Sequence, residues 1–369
     1  MKILLLSDVN SVHTKKWVSG LTTYGFTVGI FSLSNSEADW YKNLNGATLL
    51  YHPIQVRNPE SMSTKLQYLR LKKKLNNVVN QFRPDILHAH YASSYGLLAA
   101  LSGFHPFVLS VWGADVYDFP NKSFIHKSIL KFNLKKADKI LSTSEVMKME
   151  TKKYSNASIE VTPFGVDIEH FSPRSKTMNL FPEKALVVGL IKSLESKYGI
   201  DVLVKAFKIA IEKCPEIPLK LLLVGGGSLE DQLKKLVDGL GISDHVLFTG
   251  KIPHEQIPSF HNEIDIFVST SVDDSESFGV SIVESCACAK AVIVARTGGL
   301  KEVVLENETG LIVEENDPIS TANAIIRFAK DANLRDSLGI KAREHVKKHY
   351  NWENNLKYMV DIYLGLQKK

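Results

Sequence analysis

The chain alternates short apolar strands with helical stretches, and does so twice, on either side of a stretch without periodicity. In the first half, Lys2–Ser7, Phe26–Leu33, Asp85–His90, Phe107–Val111 and Lys139–Ser142 read as strands. Helical patterns fall between them at Trp17–Tyr24, from about Met62 to Phe82, at Tyr95–Gly103 and at Ser123–Ala137. The second half repeats the scheme. Its strands are Ala185–Leu190, Leu219–Val224, Val246–Thr249, Ile266–Ser269 and Ala291–Ala295, and its helices Asp201–Lys213, Leu229–Leu240, Gln256–Asn262 and Phe278–Ala289. Strand and helix in turn imply a parallel sheet with helices on both faces. Phe171 to Lys184, with Pro173 and Pro182, is the linker. The expected class is therefore α/β, with two Rossmann-like parallel-sheet domains facing a central cleft at their strand C-terminal ends. Residues 1–175 form the first domain and 176–350 the second, each long enough for its own core. Residues 351–369 are expected as a C-terminal helix returning to the first domain.

Charge divides unevenly between the halves. Residues 1–175 carry 21 Lys and Arg against 13 Asp and Glu, a balance of +8; residues 176–369 carry 24 against 27, or −3. A basic first half suits an anionic partner: membrane, nucleic acid or a phosphorylated substrate. Lys127, Lys131 and Lys135 recur every four residues on one helix beside Phe124, Ile125, Ile129 and Phe132, and Arg70, Lys72, Lys73 and Lys74 cluster on another. Basic amphipathic helices of this kind can dock on anionic lipid; the alternative is that the apolar residues pack inward and the lysines only solvate the surface. Only four apolar residues, Ile3 to Leu6, precede Ser7-Asp8, too few for a signal peptide's apolar core. No run approaches the roughly 18 apolar residues of a spanning helix. Cys214, Cys286 and Cys288 cannot form an extracellular disulfide framework and read as reduced, buried thiols. The expected location is cytoplasmic, with peripheral contact on the inner face of the membrane.

The richest stretch for chemistry is Glu276-Ser277-Phe278-Gly279-Val280-Ser281-Ile282-Val283-Glu284. A helix starting near Phe278 turns the amides of Phe278, Gly279 and Val280 toward an anion such as a diphosphate. At about 1.5 Å per residue, Glu276 and Glu284 lie some 12 Å apart, too far for the roughly 5 Å carboxylate pair of a double-displacement glycosidase. The spacing suits two carboxylates gripping hydroxyls on opposite sides of a diphosphate. Lys192 and Lys197, five residues apart in a loop leaving a strand, can clamp that diphosphate. Gly225-Gly226-Gly227 matches two glycines of a dinucleotide fingerprint, but Glu230 occupies the third position, which disfavours a hydride-transferring enzyme. His88 and His90 alternate at a strand end and suit hydrogen bonding better than metal ligation. Asp273-Asp274 are adjacent, and Asp115 and Asp118 three apart, so no Asp-x-Asp metal motif is present.

The continuation is what identifies the pattern. Cys288-Ala289-Lys290-Ala291-Val292-Ile293, Thr297-Gly298-Gly299-Leu300-Lys301-Glu302-Val303-Val304 and Glu308-Thr309-Gly310-Leu311-Ile312-Val313 follow the paired glutamates. Val161-Thr162-Pro163-Phe164-Gly165-Val166-Asp167, with Phe171-Ser172-Pro173 behind it, looks like an interdomain signature. In this order the motifs resemble the family-4 glycosyltransferases of the GT-B fold, from Met1 to about Asn354. The resemblance implies a retaining, metal-independent transferase that moves a hexose-type sugar from a UDP- or GDP-sugar to a glycan or lipid-linked acceptor, in bacterial surface-polysaccharide synthesis. No cofactor, metal or nucleic acid is implied. The second domain would hold the donor: Glu276 the hexose, Glu284 the ribose, Lys192, Lys197 and the amides of Phe278, Gly279 and Val280 the leaving diphosphate, and the backbone of Gly250, Lys251 and Ile252 the base.

The first domain would hold the acceptor, with His13, His90 and Asp115 as its candidates. Two departures stand out: Lys192 replaces the family's usual arginine, and Trp112 stands where relatives often have histidine. They leave one alternative, a catalytically silent nucleotide-sugar-binding partner of another transferase.

Overall fold

A computed structural model describes residues 1–53, 65–182, 184–272, 276 and 278–367, with 65–68 described by their backbone alone. Contacts divide the chain into two units: Met1–Phe164 with Glu353–Lys369, and Gly165–Trp352. The first runs β1 (Lys2–Leu6), α1 (Val12–Thr23), β2 (Thr27–Phe31), β3 (Ala47–Tyr51), α2 (Lys65–Phe82), β4 (Ile86–His90), α3 (Ser94–Ser102), β5 (Phe107–Val111), α4 (Ala114–Tyr117), α5 (Phe124–Lys136), β6 (Lys139–Ser142), α6 (Glu145–Lys152) and β7 (Ile159–Val161). Its seven strands are parallel, in the order β3-β2-β1-β4-β5-β6-β7. Leu4, Leu6, Leu87 and Leu109 are fully buried beside Leu98 and Leu130. Strands covered on both faces are mostly apolar, and their buried polar side chains are hydrogen-bonded, as His88 is to Ser110 and His90 to Ser7. Of the basic helix expected from Met62, residues 62–64 lie outside the described residues.

The second unit runs β8 (Leu186–Ile191), α7 (Ile200–Lys213), β9 (Leu219–Val224), α8 (Glu230–Gly239), β10 (Val246–Phe248), α9 (Ile257–Glu263), β11 (Ile266–Ser269), α10 (Val280–Ala287), β12 (Ala291–Ala295), α11 (Leu300–Val303), β13 (Leu311–Val313), α12 (Pro318–Lys330) and α13 (Ala332–His349). Its six parallel strands lie in the order β10-β9-β8-β11-β12-β13. Asp317 and Asp331 start α12 and α13 by accepting first-turn amides at 2.8–3.0 Å. Cys214, Cys286 and Cys288 are buried and unpaired, and burial pushes the Cys286 and Cys288 thiols up to about 12. Among the described residues no helix is long and apolar enough to cross a membrane.

The division between the units falls at Phe164/Gly165, ahead of the 175/176 boundary that the linker composition suggested. The intervening segment lacks periodicity yet is bound to the second unit by side-chain acceptors. Arg174 N–H donates to Asn262 Oδ1 at 2.8 Å, and the N–H groups of Thr177 and Met178 share Glu263 Oε1 at 2.7 and 2.8 Å. The last helix, α14 (Trp352–Gln367), belongs to the first unit from Glu353 onward. There the Tyr363 hydroxyl meets His88 Nδ1 at 2.6 Å, Tyr358 donates to Glu160 Oε2 at 2.7 Å, and Asn355 Nδ2 donates to the Pro163 carbonyl.

Candidate functional site

Both sheets reverse their winding once, at β1/β4 and at β8/β11. Loops leaving the C-terminal ends of such a strand pair diverge, and this is where open parallel sheets bind ligands. In the second unit these loops carry Lys192–Tyr198 after β8 and, among the described residues, Thr270–Val272, Glu276, Phe278 and Gly279 after β11.

Lys192 N–H extends the β8–β9 pairing by donating to Val224 O at 2.9 Å. The glycines that follow β9 make room for this loop. A Cβ at Gly225 (φ +133°) would collide with the Lys192 carbonyl oxygen, and one at Gly227 with that of Leu194. The glycine turn therefore serves backbone packing beneath the lysine loop. The Lys192 ammonium reaches both oxygens of Glu276, at 2.8 and 2.9 Å, with the two side chains only 17% and 11% exposed. Tyr198 then joins the second cation to the first: its ring centroid lies 4.5 Å from Lys192 Nζ and 5.1 Å from Lys197 Nζ. Val272 N–H donates to Lys197 O at 3.0 Å, which ties the two loops together. Glu276 itself is anchored through its carbonyl, which accepts from Gly299 N–H at 3.0 Å.

The helix expected from Phe278 begins at Val280, capped by Gly279 in the left-handed region at φ +73°. A Cβ on Gly279 would sit 2.7 Å from Leu300 Cδ2 and 2.9 Å from Ile282 Cδ1, so packing as well as conformation demands glycine there. Phe278 turns inward instead, 4% exposed, with its ring 5.5 Å from that of Tyr350. Glu276 lies in the loop ahead of the helix, so the helical rise does not measure its distance from Glu284. Ser277, Asp273 and Asp274 lie outside the described residues.

Glu284, on the second turn of α10, is 8% exposed. Burial pushes its carboxyl up, but the imidazoles of His254 and His261, at 3.8 and 3.5 Å, outweigh that and hold it at about 2. It is ionised at every pH a folded protein ordinarily meets. Its contribution to stability is lost only as pH falls below the ordinary carboxylate range toward 2. Gly250, Lys251 and Ile252 leave β10 beside the glycine turn, Gly250 O accepting from Gly225 N–H at 3.0 Å. The same loop continues to His254. Among the described residues no three His, Cys, Asp or Glu side chains could together hold a metal ion.

In the first unit, α1 begins at Val12, earlier than the Trp17 start read from the pattern, and carries His13 on its first turn. His13 stacks on Phe164 at 3.9 Å and meets the edge of Trp112 at 5.7 Å. Trp112 also contacts His90 at 4.6 Å and Phe164 at 5.3 Å. His90 is 2% exposed and hydrogen-bonds Ser7 Oγ through Nδ1 at 3.1 Å. Burial holds it well below its ordinary pKa, so it is a neutral ring. His88 is held at about 3 by burial and pairs with Tyr363 and Ser110.

Asp115 is fully buried and faces inward. Its oxygens accept the N–H groups of Ala92 (2.6 Å), Gly113 (2.8 Å) and Trp112 (3.1 Å), so it shapes the turn that presents Trp112. The structure thus brings His13, His90 and Trp112 together and puts Asp115 behind them. The sequence pattern assigns no role to Tyr198, His254 or His261, nor to Phe164 as a ring partner. Tyr198 follows Lys197, and His254 lies two residues after Ile252, so both had site candidates as neighbours; His261 had none.

Residues 172–345 match the family model described as glycosyl transferases group 1, and residues 2–144 the model described as glycosyl transferase 4-like. D-inositol 3-phosphate glycosyltransferase of Corynebacterium urealyticum is 34% identical over 222 residues, 57% of this chain and 52% of that protein. The GDP-mannose-dependent alpha-(1-6)-phosphatidylinositol monomannoside mannosyltransferase of Mycolicibacterium smegmatis is 27% identical over 221 residues, 57% of each chain. The matched stretch spans little more than half the length of either relative. Among solved structures, Anabaena HepE in complex with UDP has the same fold, with a TM-score of 0.82 over 99% of this chain and 100% of that one at 19% identity.

Proposed function

The chain belongs to the group 1 glycosyltransferases, of family-4 type with the GT-B fold, and on that premise we propose that it transfers a hexose from a UDP- or GDP-sugar, with retention and without a metal ion, to a glycan or lipid-linked acceptor. The observation that carries this reading is the Lys192–Glu276 pair, bracketed with Lys197 through Tyr198 at the β8/β11 winding reversal. A carboxylate 11% exposed and held by an ammonium is a rigid acceptor for sugar hydroxyls. Lys192, Lys197 and the first-turn amides of α10 supply positive charge where a departing diphosphate gathers negative charge. Glu284, ionised throughout, accepts the ribose hydroxyls. The acceptor hydroxyl attacks the anomeric carbon on the face that the diphosphate leaves. Its oxygen forms the new glycosidic bond, the bond from anomeric carbon to phosphate oxygen breaks, and that oxygen takes the proton. The half-buried rings of His13 and Trp112, backed by the buried Phe164, offer the acceptor flat faces of the kind sugar rings pack against. The relatives' names, a GDP-mannose-dependent phosphatidylinositol monomannoside mannosyltransferase among them, support a role in glycolipid or polysaccharide synthesis.

The test is incubation with a panel of nucleotide sugars and lipid-linked glycans, reading nucleotide release and the anomeric configuration of the product. Release that depends on acceptor and persists in EDTA is expected. Binding without release would mean a silent partner, and loss of turnover in EDTA would overturn the metal-free step. Within the donor site, Lys197→Ala should weaken UDP or GDP binding by about 1–3 kcal/mol, the worth of a charge-assisted contact. Calorimetry showing unchanged affinity would remove Lys197 from the clamp.

We also propose that the first unit rests on anionic lipid through α5. Its Phe124 and Ile125 are 83% and 68% exposed, and Lys127, Lys131 and Lys135 are exposed too. Sedimentation with anionic vesicles should fall when these lysines become Glu, and should weaken with salt, since exposed charges are screened beyond roughly 8 Å at physiological ionic strength. Wild-type protein that ignores such vesicles at low salt would leave α5 an ordinary solvated face.

A further inference from the structure

His261 is fully buried on α9, and neither of its ring nitrogens has a hydrogen-bond partner. Its ring lies 5.9 Å from that of Phe171 and 5.6 Å from that of Phe267. A phenylalanine would fill such surroundings without two orphaned nitrogens, so packing alone does not account for an imidazole. What faces it is Glu284. His261 Nε2 lies 3.5 Å from Glu284 Oε2, and the other carboxylate oxygen, Oε1, lies 3.8 Å from Nε2 of the half-exposed His254. Each oxygen therefore has its own imidazole. Both separations are somewhat longer than a hydrogen bond, and a carboxylate shift of about half an ångström would close the inner one. Lys290, whose charge also acts on His261, is committed to the Asn262 carbonyl at 3.0 Å.

We infer that His261 and His254 are positioning residues for Glu284, fixing the plane of its carboxylate so that it meets both ribose hydroxyls of the donor, and that they thereby set a preference for ribonucleotides over 2′-deoxyribonucleotides. This rests on the reading of Glu284 as the ribose acceptor. An ionised carboxylate accepts only, so its orientation decides whether it takes two hydroxyl donors or one. His261 secures the buried oxygen, and His254 limits rotation of the outer one.

The experiment is calorimetric binding of UDP and GDP, each against its 2′-deoxy counterpart, to the full chain and its variants. The wild-type ratio of ribo to deoxy affinity should be about tenfold or more, the worth of a hydrogen bond to a charged group. Glu284→Gln and His261→Phe should each bring it toward one; Glu284→Gln also weakens the deoxy nucleotide, which keeps its 3′-hydroxyl, whereas in His261→Phe the deoxy affinity should stay within about twofold. His261→Gln, which restores a donor, should recover part of the ratio. A variant that altered only packing would move both affinities together and leave the ratio as it was. A wild-type ratio in His261→Phe, with a reduced one in Glu284→Gln, overturns the inference alone. An unchanged ratio in Glu284→Gln removes the ribose reading and the inference with it. His254→Ala, at an exposed position, should lower the ratio about threefold. If the His261 variants do not fold, a wild-type ratio in His254→Ala overturns the inference.

Discussion

Replacing Glu276 by glutamine should lower turnover by about 10²-fold or more while UDP or GDP binds at least as tightly as before. Glutamine keeps the shape but removes the charge that meets Lys192 at 2.8 Å. The ammonium then has no carboxylate partner and is more available to a diphosphate, so nucleotide affinity should hold or rise. The loss falls on the sugar, whose hydroxyls face a weaker acceptor at the moment the anomeric bond breaks. Single-turnover rates and calorimetry on the same preparation separate the two effects. A parallel fall in nucleotide affinity and turnover would falsify the assignment of Glu276 to the hexose.

The largest stability effect is expected at Asp115. Asp115→Ala orphans the buried N–H groups of Ala92, Trp112 and Gly113 together, each worth about 1–3 kcal/mol when left without an acceptor. A total loss of about 3–5 kcal/mol follows, allowing for relaxation of the turn. Asn is no rescue, because its amide NH₂ would turn a donor on one of these donors. Burial pushes the Asp115 carboxyl from 3.8 up to about 6, against the pull of the backbone amides. Between those values the folded state holds a proton that the unfolded state has lost. The contribution of Asp115 to stability therefore declines as pH rises from about 4 to about 6, and the cost of Asp115→Ala should shrink over the same interval. Urea unfolding followed by the fluorescence of the neighbouring Trp112 measures this. A loss under about 1 kcal/mol would show that water satisfies the three amides.

The inner strands were legible because a parallel strand covered on both faces has no polar side: Ile3–Leu6, Leu219–Val224 and Ala291–Ala295 can be little else. The strands the pattern missed are β3, β7 and β13, and all three lie at sheet edges. An edge strand needs one partner and keeps residues half exposed, as in β3 and β7, or is very short, as in the three residues of β13. Such segments carry too little apolar signal to stand out from a turn.

At the site, the loops were legible and the pairings within them were not. Lys192 and Glu276 are 84 residues apart and meet because parallel strands all end at the same edge of a sheet, so loops remote in sequence become neighbours there. The pattern leaves open which way the apolar share of α5 faces; in the fold Phe124 and Ile125 face outward while Leu130 and Leu134 are buried. The glycines after β9 announced a tight turn in either reading. That Gly225 and Gly227 yield to the carbonyls of Lys192 and Leu194, and that His261 turns toward Glu284 on a neighbouring helix, follows from which backbones come within van der Waals reach. The sequence by itself determined two parallel sheets and the loops that carry charge. Which side chains within those loops touch was decided only by the order and register in which the strands lie side by side.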